Sequence, residues 1–321
     1  MEYTILGRTG LKVSVAGLGC GGSSRLGLGT GHSAAHAADI VRRALDLGVN
    51  FIDTAQYYGT EPVIGAAIEG RARDSVVIST KHKASLRDGT IFSVSEILAG
   101  LDRSLRALGT DHVDVFCLHT VMPNEYDRVM AEIVPALLRE RDKGKFRFLG
   151  ITEFAVSDPR HDMLTRALTD DCFDVMMVAF HMLNQNARQR VLPATQARNI
   201  GTLLMFAVRA IFSVPGRLQQ DIAELAAAGK VPKWLAEKKQ PLDFLLHDQG
   251  GAKSVIEAAY RYARHEPGAN VVLFGTGNPD HLEPNIRAIL QPPLPAADAQ
   301  KLAALFGALE GVGLDEANMK R

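Results

Sequence analysis

Short apolar runs rich in β-branched residues alternate with helix-period segments from one end of the chain to the other. The runs at 15–18, 50–53, 75–80, 113–118, 146–151, 174–179, 202–205 and 270–274 read as strands. Several are continuously apolar, as in Val76-Val77-Ile78 and Val271-Val272-Leu273-Phe274, the look of a parallel strand covered on both faces. The segments between them carry helix boundaries. Ser33 precedes a helix expected to reach Leu47 and stop at Gly48. Ser93 opens another, with Leu98, Leu101, Leu105 and Leu108 at helical spacing before Gly109. Ser157, with Asp158 and Pro159, is expected to open a third. Eight strands in alternation with helices, without a low-complexity linker, predict a single closed (β/α)8 TIM barrel over residues 1–321, although an open doubly wound sheet satisfies the same alternation.

Two segments break the repeat. Residues 1–11 hold the turn signal Gly7-Arg8-Thr9-Gly10 and suggest an N-terminal β-hairpin closing the barrel bottom. Residues 207–250, after the seventh strand, are too many for a plain βα connection. This insertion is expected to hold a helix at 220–228 and to lie over the C-terminal barrel face. A final helix is expected near 297–309, followed by a polar tail.

Composition narrows the partners. Lys+Arg and Asp+Glu are both 36, so the formal net charge is zero and nothing draws the chain to nucleic acid or an anionic membrane. The cysteines (Cys20, Cys117, Cys172) are too few for a disulfide framework and match no zinc spacing. No apolar stretch suits a bilayer, and the N-terminus lacks the pattern of a secretory signal, so a cytoplasmic protein is expected. Oligomeric state is not legible.

Candidate chemistry sits at strand ends. The cluster Gly17-Leu18-Gly19-Cys20-Gly21-Gly22 leads into a loop rather than a helix, and reads better as backbone passing close to a ligand than as a dinucleotide fingerprint. His32 and His36, four apart, lack further ligands for a metal, so no metal site is expected. The second, third and fourth strands end at Asp53, Lys81 and His119, and Tyr57 and Tyr58 follow Asp53 in the loop. In a barrel these ends are neighbours on the catalytic face. Reducing a carbonyl needs a hydride donor and an acid for the developing alkoxide. A tyrosine serves if an ammonium favours its phenolate, a carboxylate holds that ammonium, and a histidine polarises the substrate oxygen.

These residues resemble the aldo-keto reductase family. The segment 48–59 (GVNFIDTAQYYG), Ser79-Thr80-Lys81, Leu118-His119, the opening 6–14 and the closing 275–282 are all similar to that family's motifs. The resemblance implies Tyr58 as proton donor, with Asp53, Lys81 and His119 completing a tetrad. It also implies a small carbonyl or sugar substrate and a nicotinamide cofactor, for which the candidate residues are Gly21, Gly22, Asp53, Thr152, Glu153, Met205, Phe206, Gly275, Thr276, Gly277, His281 and Asn285; the loops expected to line the mouth offer Tyr57, Phe154 and Trp234 to the substrate. The closing segment looks nearest to bacterial and plant sugar dehydrogenases. Departures are local. Gly150-Ile151-Thr152-Glu153 stands where the family has Gly-x-Ser-Asn, and Met177 replaces the usual Gln. Gly275 and His281 occupy places where NADP-using members carry cations, which implies a preference for NAD(H) over NADP(H). Two other readings are a lyase or isomerase using Lys81 as a Schiff-base nucleophile, and a nicotinamide-binding regulatory subunit without turnover.

Overall fold

The computed structural model describes residues 1–86 and 88–315. Eight parallel strands close into a barrel in the order β10-β3-β4-β5-β6-β7-β8-β9. They are β3 (Ala16–Gly19), β4 (Phe51–Asp53), β5 (Val77–Lys83), β6 (Val113–Val121), β7 (Phe146–Glu153), β8 (Val175–Ala179), β9 (Gly201–Met205) and β10 (Val271–Phe274). The closed barrel, and not the open sheet, is the fold. Ahead of it, β1 (Tyr3–Ile5) and β2 (Lys12–Ser14) pair antiparallel. The hairpin therefore runs past the expected 1–11, because its connection is a 3-10 turn over Gly7–Thr9 closed by Gly10 in the left-handed region. Its Leu6, Leu11 and Val13 pack with Phe51, Val77, Val115, Cys117, Val175, Met177, Leu203 and Val271 to fill the barrel interior.

Period-2 alternation divides each strand between this interior and the outer layer. Phe51, Val77, Val115 and Cys117 face in, whereas Ile52, Ile78, Phe116 and Leu118 pack outward beneath the helices. Gly150 is glycine for a steric reason: a Cβ there would meet the Cys117 sulfur at 2.5 Å.

The helix boundaries follow the capping chemistry. Helix Ala34–Asp46 is capped by the Ser33 side chain, and Gly48 has a φ of 90°. Helix Val94–Leu108 starts with a complete Ser93/Glu96 capping box and ends on Gly109 in the left-handed region, each a device that stabilises a helix end by about 1 kcal/mol. The helix expected at Ser157 begins only at Asp162. Its cap is Asp158, whose two carboxylate oxygens accept from the amides of Asp162 and Met163. The insertion after β9 folds as helices Ala210–Ser213, Arg217–Ala227 and Lys233–Ala236 and a turn at Asp243–Leu245. The final helix is Ala296–Phe306, and most of the expected polar tail lies outside the described residues. Among those residues no helix is long and apolar enough to cross a membrane.

Candidate active site

Strand parity brings the polar residues together. Counting two residues up from Phe51 gives Asp53; from Val77 it gives Ser79 and Lys81; from Val115 and Cys117 it gives His119. Asp53 is in register with Ser79, and Lys81 with Cys117. These side chains thus crown the apolar plug at the carboxyl ends of three adjacent strands. The register of β6 against β7 shifts between Leu118 and Val121, and Thr120 adopts a φ of 57°. An irregularity of this kind re-aims a side chain at a strand end.

Lys81 is fully buried. Its Nζ donates to Asp53 Oδ2 at 2.7 Å and to the Thr54 carbonyl at 2.6 Å, and lies 5.2 Å from the centre of the Tyr58 ring. The Tyr58 hydroxyl is 3.4 Å from His119 Nε2, with the two rings edge to face. A Cβ on Gly21 would meet the Tyr58 ring at 2.6 Å, so the glycine cluster after β3 gives that ring its seat. Gly21 touches the catalytic tyrosine candidate, while Gly22 has a φ of 72° and open space beside it.

Burial would strip Lys81 of its proton, but Asp53 and Tyr58 override it and hold the ammonium above its ordinary value. Burial pushes the Asp53 carboxyl up against the pull of Lys81. It likewise pushes the Tyr58 phenol up, with Lys81 opposing. His119 is held well below the usual imidazole range by burial, then by Lys81, Lys83 and His82. Its ring is therefore neutral, and Nδ1 is buried without a partner among the described residues. The Cys117 thiol is pushed up to about 12 by burial, and with buried Cys20 it packs as a small apolar group.

The β7–β9 side differs. Thr152 Oγ1 accepts from the Thr120 amide at 2.8 Å. Glu153 has the opposite parity and turns into the barrel wall. Its Oε2 meets His161 Nδ1 at 2.6 Å, its Oε1 accepts from the Ala179 amide at 2.8 Å, and His161 Nε2 reaches Asn186 Oδ1 at 2.9 Å. Both carboxylate oxygens are engaged inside the protein, so the expected carboxamide contact of Glu153 has no free atom behind it. Sequence reading missed His161 and Asn186, which lie in irregular segments without periodicity. Met205 and Phe206 pack with Ala155, Val156, Ala179 and Leu314, and Phe206 holds a φ of 73°. Such backbone strain in a bulky residue collects at functional sites.

After β10 the chain makes a tight glycine cradle. A Cβ on Gly277 would meet the backbone of Gly27 at 2.9 Å, and one on Gly275 would meet the Gly19 carbonyl at 2.8 Å. His36 anchors this loop through Nε2 to the Gly277 carbonyl at 2.9 Å and stacks on His32, a role its helix-face position did not announce. Thr276 and Asn278 fold the loop back on itself, and the His281 ring lies between them, 3.5 Å from Thr276 Oγ1 and 3.3 Å from Asn278 Nδ2. Asn285 follows on helix Leu282–Ile289. Close backbone approach ahead of a helix N-terminus suits the phosphates of a dinucleotide. Among the substrate candidates, Tyr57 is 66% exposed with Lys83 Nζ 3.9 Å from its ring centre. Phe154 is half-buried in the turn after β7. Trp234 instead faces Lys301 of the final helix. Among the described residues no cluster of metal-binding side chains occurs.

This closed barrel with a Tyr–Lys–Asp–His constellation at its carboxyl face defines an oxidoreductase architecture, and the comparisons with known proteins agree. The Aldo/keto reductase family model matches residues 18–306, and the chain belongs to that family, whose members use nicotinamide cofactors. It is similar to an L-galactose dehydrogenase of Arabidopsis thaliana, 27% identical over 97% of this chain and 95% of the relative. An L-glyceraldehyde 3-phosphate reductase of Escherichia coli is also 27% identical, over 90% and 88%. An aldo-keto reductase of Bacillus halodurans shares the fold, with a TM-score of 0.71 at 21% identity over 100% of this chain and 98% of that one.

Proposed function

We propose that the chain is a nicotinamide-dependent reductase or dehydrogenase of small carbonyl or sugar substrates, with Tyr58 as the general acid and base. The observation that carries this reading is the placement of Tyr58 between His119 Nε2 at 3.4 Å and the Lys81 ammonium, itself 2.7 Å from Asp53. A reduced nicotinamide, when bound, supplies the hydride. Tyr58 Oη gives its proton to the carbonyl oxygen and is left as a phenolate beside Lys81. The neutral His119 ring hydrogen-bonds the same oxygen and polarises it without adding charge. Asp53 keeps Lys81 charged and in place. In the oxidation direction the Tyr58 phenolate takes the alcohol proton.

The residues assigned to the cofactor are Gly22, Thr152, Met205, Phe206, Gly275, Thr276, Gly277, His281 and Asn285, with Gly21 and Glu153 shaping the site from behind. NAD(H) is the favoured dinucleotide. A Schiff-base role for Lys81 is disfavoured, because such a lysine needs a lowered pKa and this one is raised. The test is a fluorescence titration with NADH and NADPH followed by a panel of aldehydes, ketones and aldoses. Saturable binding with turnover supports the reading. Binding without turnover of any carbonyl or alcohol points to a regulatory subunit, and absence of binding refutes both.

A further inference from the structure

The oxidoreductase reading leaves open what the mouth does with the rest of the substrate, and two cations there bear on it. Arg209 follows β9, and its guanidinium carbon lies 4.2 Å from the centre of the Phe206 ring. Stacking of this kind holds the planar fork flat and leaves its N–H edge available for a bidentate partner. Yet Arg209 Nε is buried with no hydrogen-bond partner among the described residues. Burial holds the guanidinium below its ordinary value, and the charges that reach it are those of Asp315 and Tyr58. Asp315 is itself bridged to Arg217 at 3.2 Å. Across the barrel stands Lys83, the last residue of β5, stacked on exposed Tyr57 and close enough for its charge to act on His119. In the strand order β10-β3-β4-β5-β6-β7-β8-β9, strands β5 and β9 are diametrically opposite. The two cations therefore flank the Tyr58–His119 pair from opposite sides. A half-buried guanidinium whose Nε is buried without a partner is unfavourable unless something fills it, and the partner that matches its geometry is an oxyanion.

We propose that Arg209, faced by Lys83 across the mouth, holds a ligand oxyanion: the carboxylate or phosphate of an anionic carbonyl substrate whose reacting carbon lies at Tyr58 and His119. This rests on the oxidoreductase reading above and adds a substrate class to it. Net charge and local motifs do not reveal such a site, because its cations come from segments some 125 positions apart in the chain.

The test compares kcat/KM for 4-carboxybenzaldehyde and benzaldehyde in the native chain, Arg209→Gln, Arg209→Lys and Lys83→Met. The native chain is expected to prefer the carboxylated aldehyde, and Arg209→Gln to reduce that preference on the order of 10- to 100-fold, the range of a charge-assisted hydrogen bond. Arg209→Lys should restore part of it, and Lys83→Met should lower it less. An unchanged ratio in Arg209→Gln overturns the proposal. So does a loss confined to the NADH dissociation constant, which would assign the oxyanion to the dinucleotide's own phosphates. If neither aldehyde is turned over, the oxidoreductase reading stands or falls on the wider panel above, and calorimetric binding of terephthalate decides this one. Binding lost in Arg209→Gln supports the subsite, and no binding to the native chain removes it. Urea midpoints for each variant separate lost recognition from lost folding.

Discussion

On the β4–β6 side of the mouth, Lys81 and Asp53 are paired at 2.7 Å, nearly without exposure. On the β7–β8 side, Glu153 and His161 are paired at 2.6 Å, fully buried. By burial and charge the two pairs look alike, but their strand parity differs. Lys81 and Asp53 share the inward face with Phe51 and Val77 and end beneath the Tyr58 ring. Glu153 is one residue off that face. It spends its second oxygen on the Ala179 amide and ties β7 to β8 and to the loop before helix Asp162–Ala167. A buried acid–base pair is therefore read by where its alternation points: Lys81–Asp53 points toward the mouth, where the proposed chemistry would draw on its charge as a source, and Glu153–His161 points into the wall as a brace.

The largest effect that separates source from brace is expected at the group the source serves. Tyr58→Phe should lower kcat by about 10²–10⁴-fold while leaving the dinucleotide dissociation constant near its native value, because the ring still fills its seat against Gly21. Tyr57→Phe, on the exposed neighbour, should change mainly KM. Near-native turnover in Tyr58→Phe would remove the tyrosine from the mechanism. The pH profile adds a sign. Oxidation needs the phenolate, and burial raises the Tyr58 value while Lys81 opposes. The oxidation rate should therefore climb on the alkaline side, and Lys81→Met should push that climb to still higher pH.

The brace should show itself in stability. Glu153→Ala leaves His161 without its carboxylate and the Ala179 amide without its acceptor, and breaking a buried pair costs about 3–5 kcal/mol. The expected outcome is a large fall in the urea midpoint, with kcat falling only as far as Thr152 and Ala179 shift. For His161, burial works to lower its value, but Glu153 overrides it and the net shift is upward; burial raises Glu153 as well. Both shifts mean the folded state holds protons more tightly than the unfolded chain. The His161 contribution is present below its unfolded value of about 6.5 and is lost as pH rises through the raised folded value. Unfolding free energy measured at pH 6 and pH 9 should decline in the native chain and decline less in Glu153→Gln. A steeper decline in that variant would mean the pair is not shared in this way.

Within the proposed source, Lys81→Met and Asp53→Asn should each lower kcat and should combine far from additively, since the two form one buried pair whose charges both reach Tyr58. Additive losses would show two independent routes to the tyrosine.

Much of this was legible in the chain. The eight strands, the hairpin and the insertion follow from apolar periodicity and turn residues, and Asp53, Lys81 and His119 were readable because each sits at the end of a run whose inward face is apolar. What escaped depends on long-range closure. Nothing local tells Glu153 from a ligand-facing residue, because its partners His161 and Asn186 lie in irregular segments. Gly21 read as a ligand contact, and its chain-distant role of making room for a tyrosine 37 positions later was not legible. The start of helix Asp162–Ala167 was missed because Asp158 caps it from four residues upstream.

The smallest effect, and the sharpest test of the β10 end of the mouth, is dinucleotide choice. A 2′-phosphate is recognised by charge-assisted contacts, each worth about 1.5–3 kcal/mol. The segment after β10 offers Gly275, which has no side chain, and Asp280, which is exposed and negative. His281 lies against Thr276 and Asn278, and Arg287 is paired with Glu283 one helical turn away. No cation on this segment is free to meet a phosphate, so NADH should bind at least as tightly as NADPH at pH 8. His281→Arg replaces a ring held within the loop by a guanidinium long enough to leave it, and should shift the ratio of dissociation constants toward NADPH by about tenfold, the value of one such contact. A preference for NADPH in the native chain would require the phosphate to be met by a cation from outside this segment, such as Arg43, which lines a cleft with Pro279.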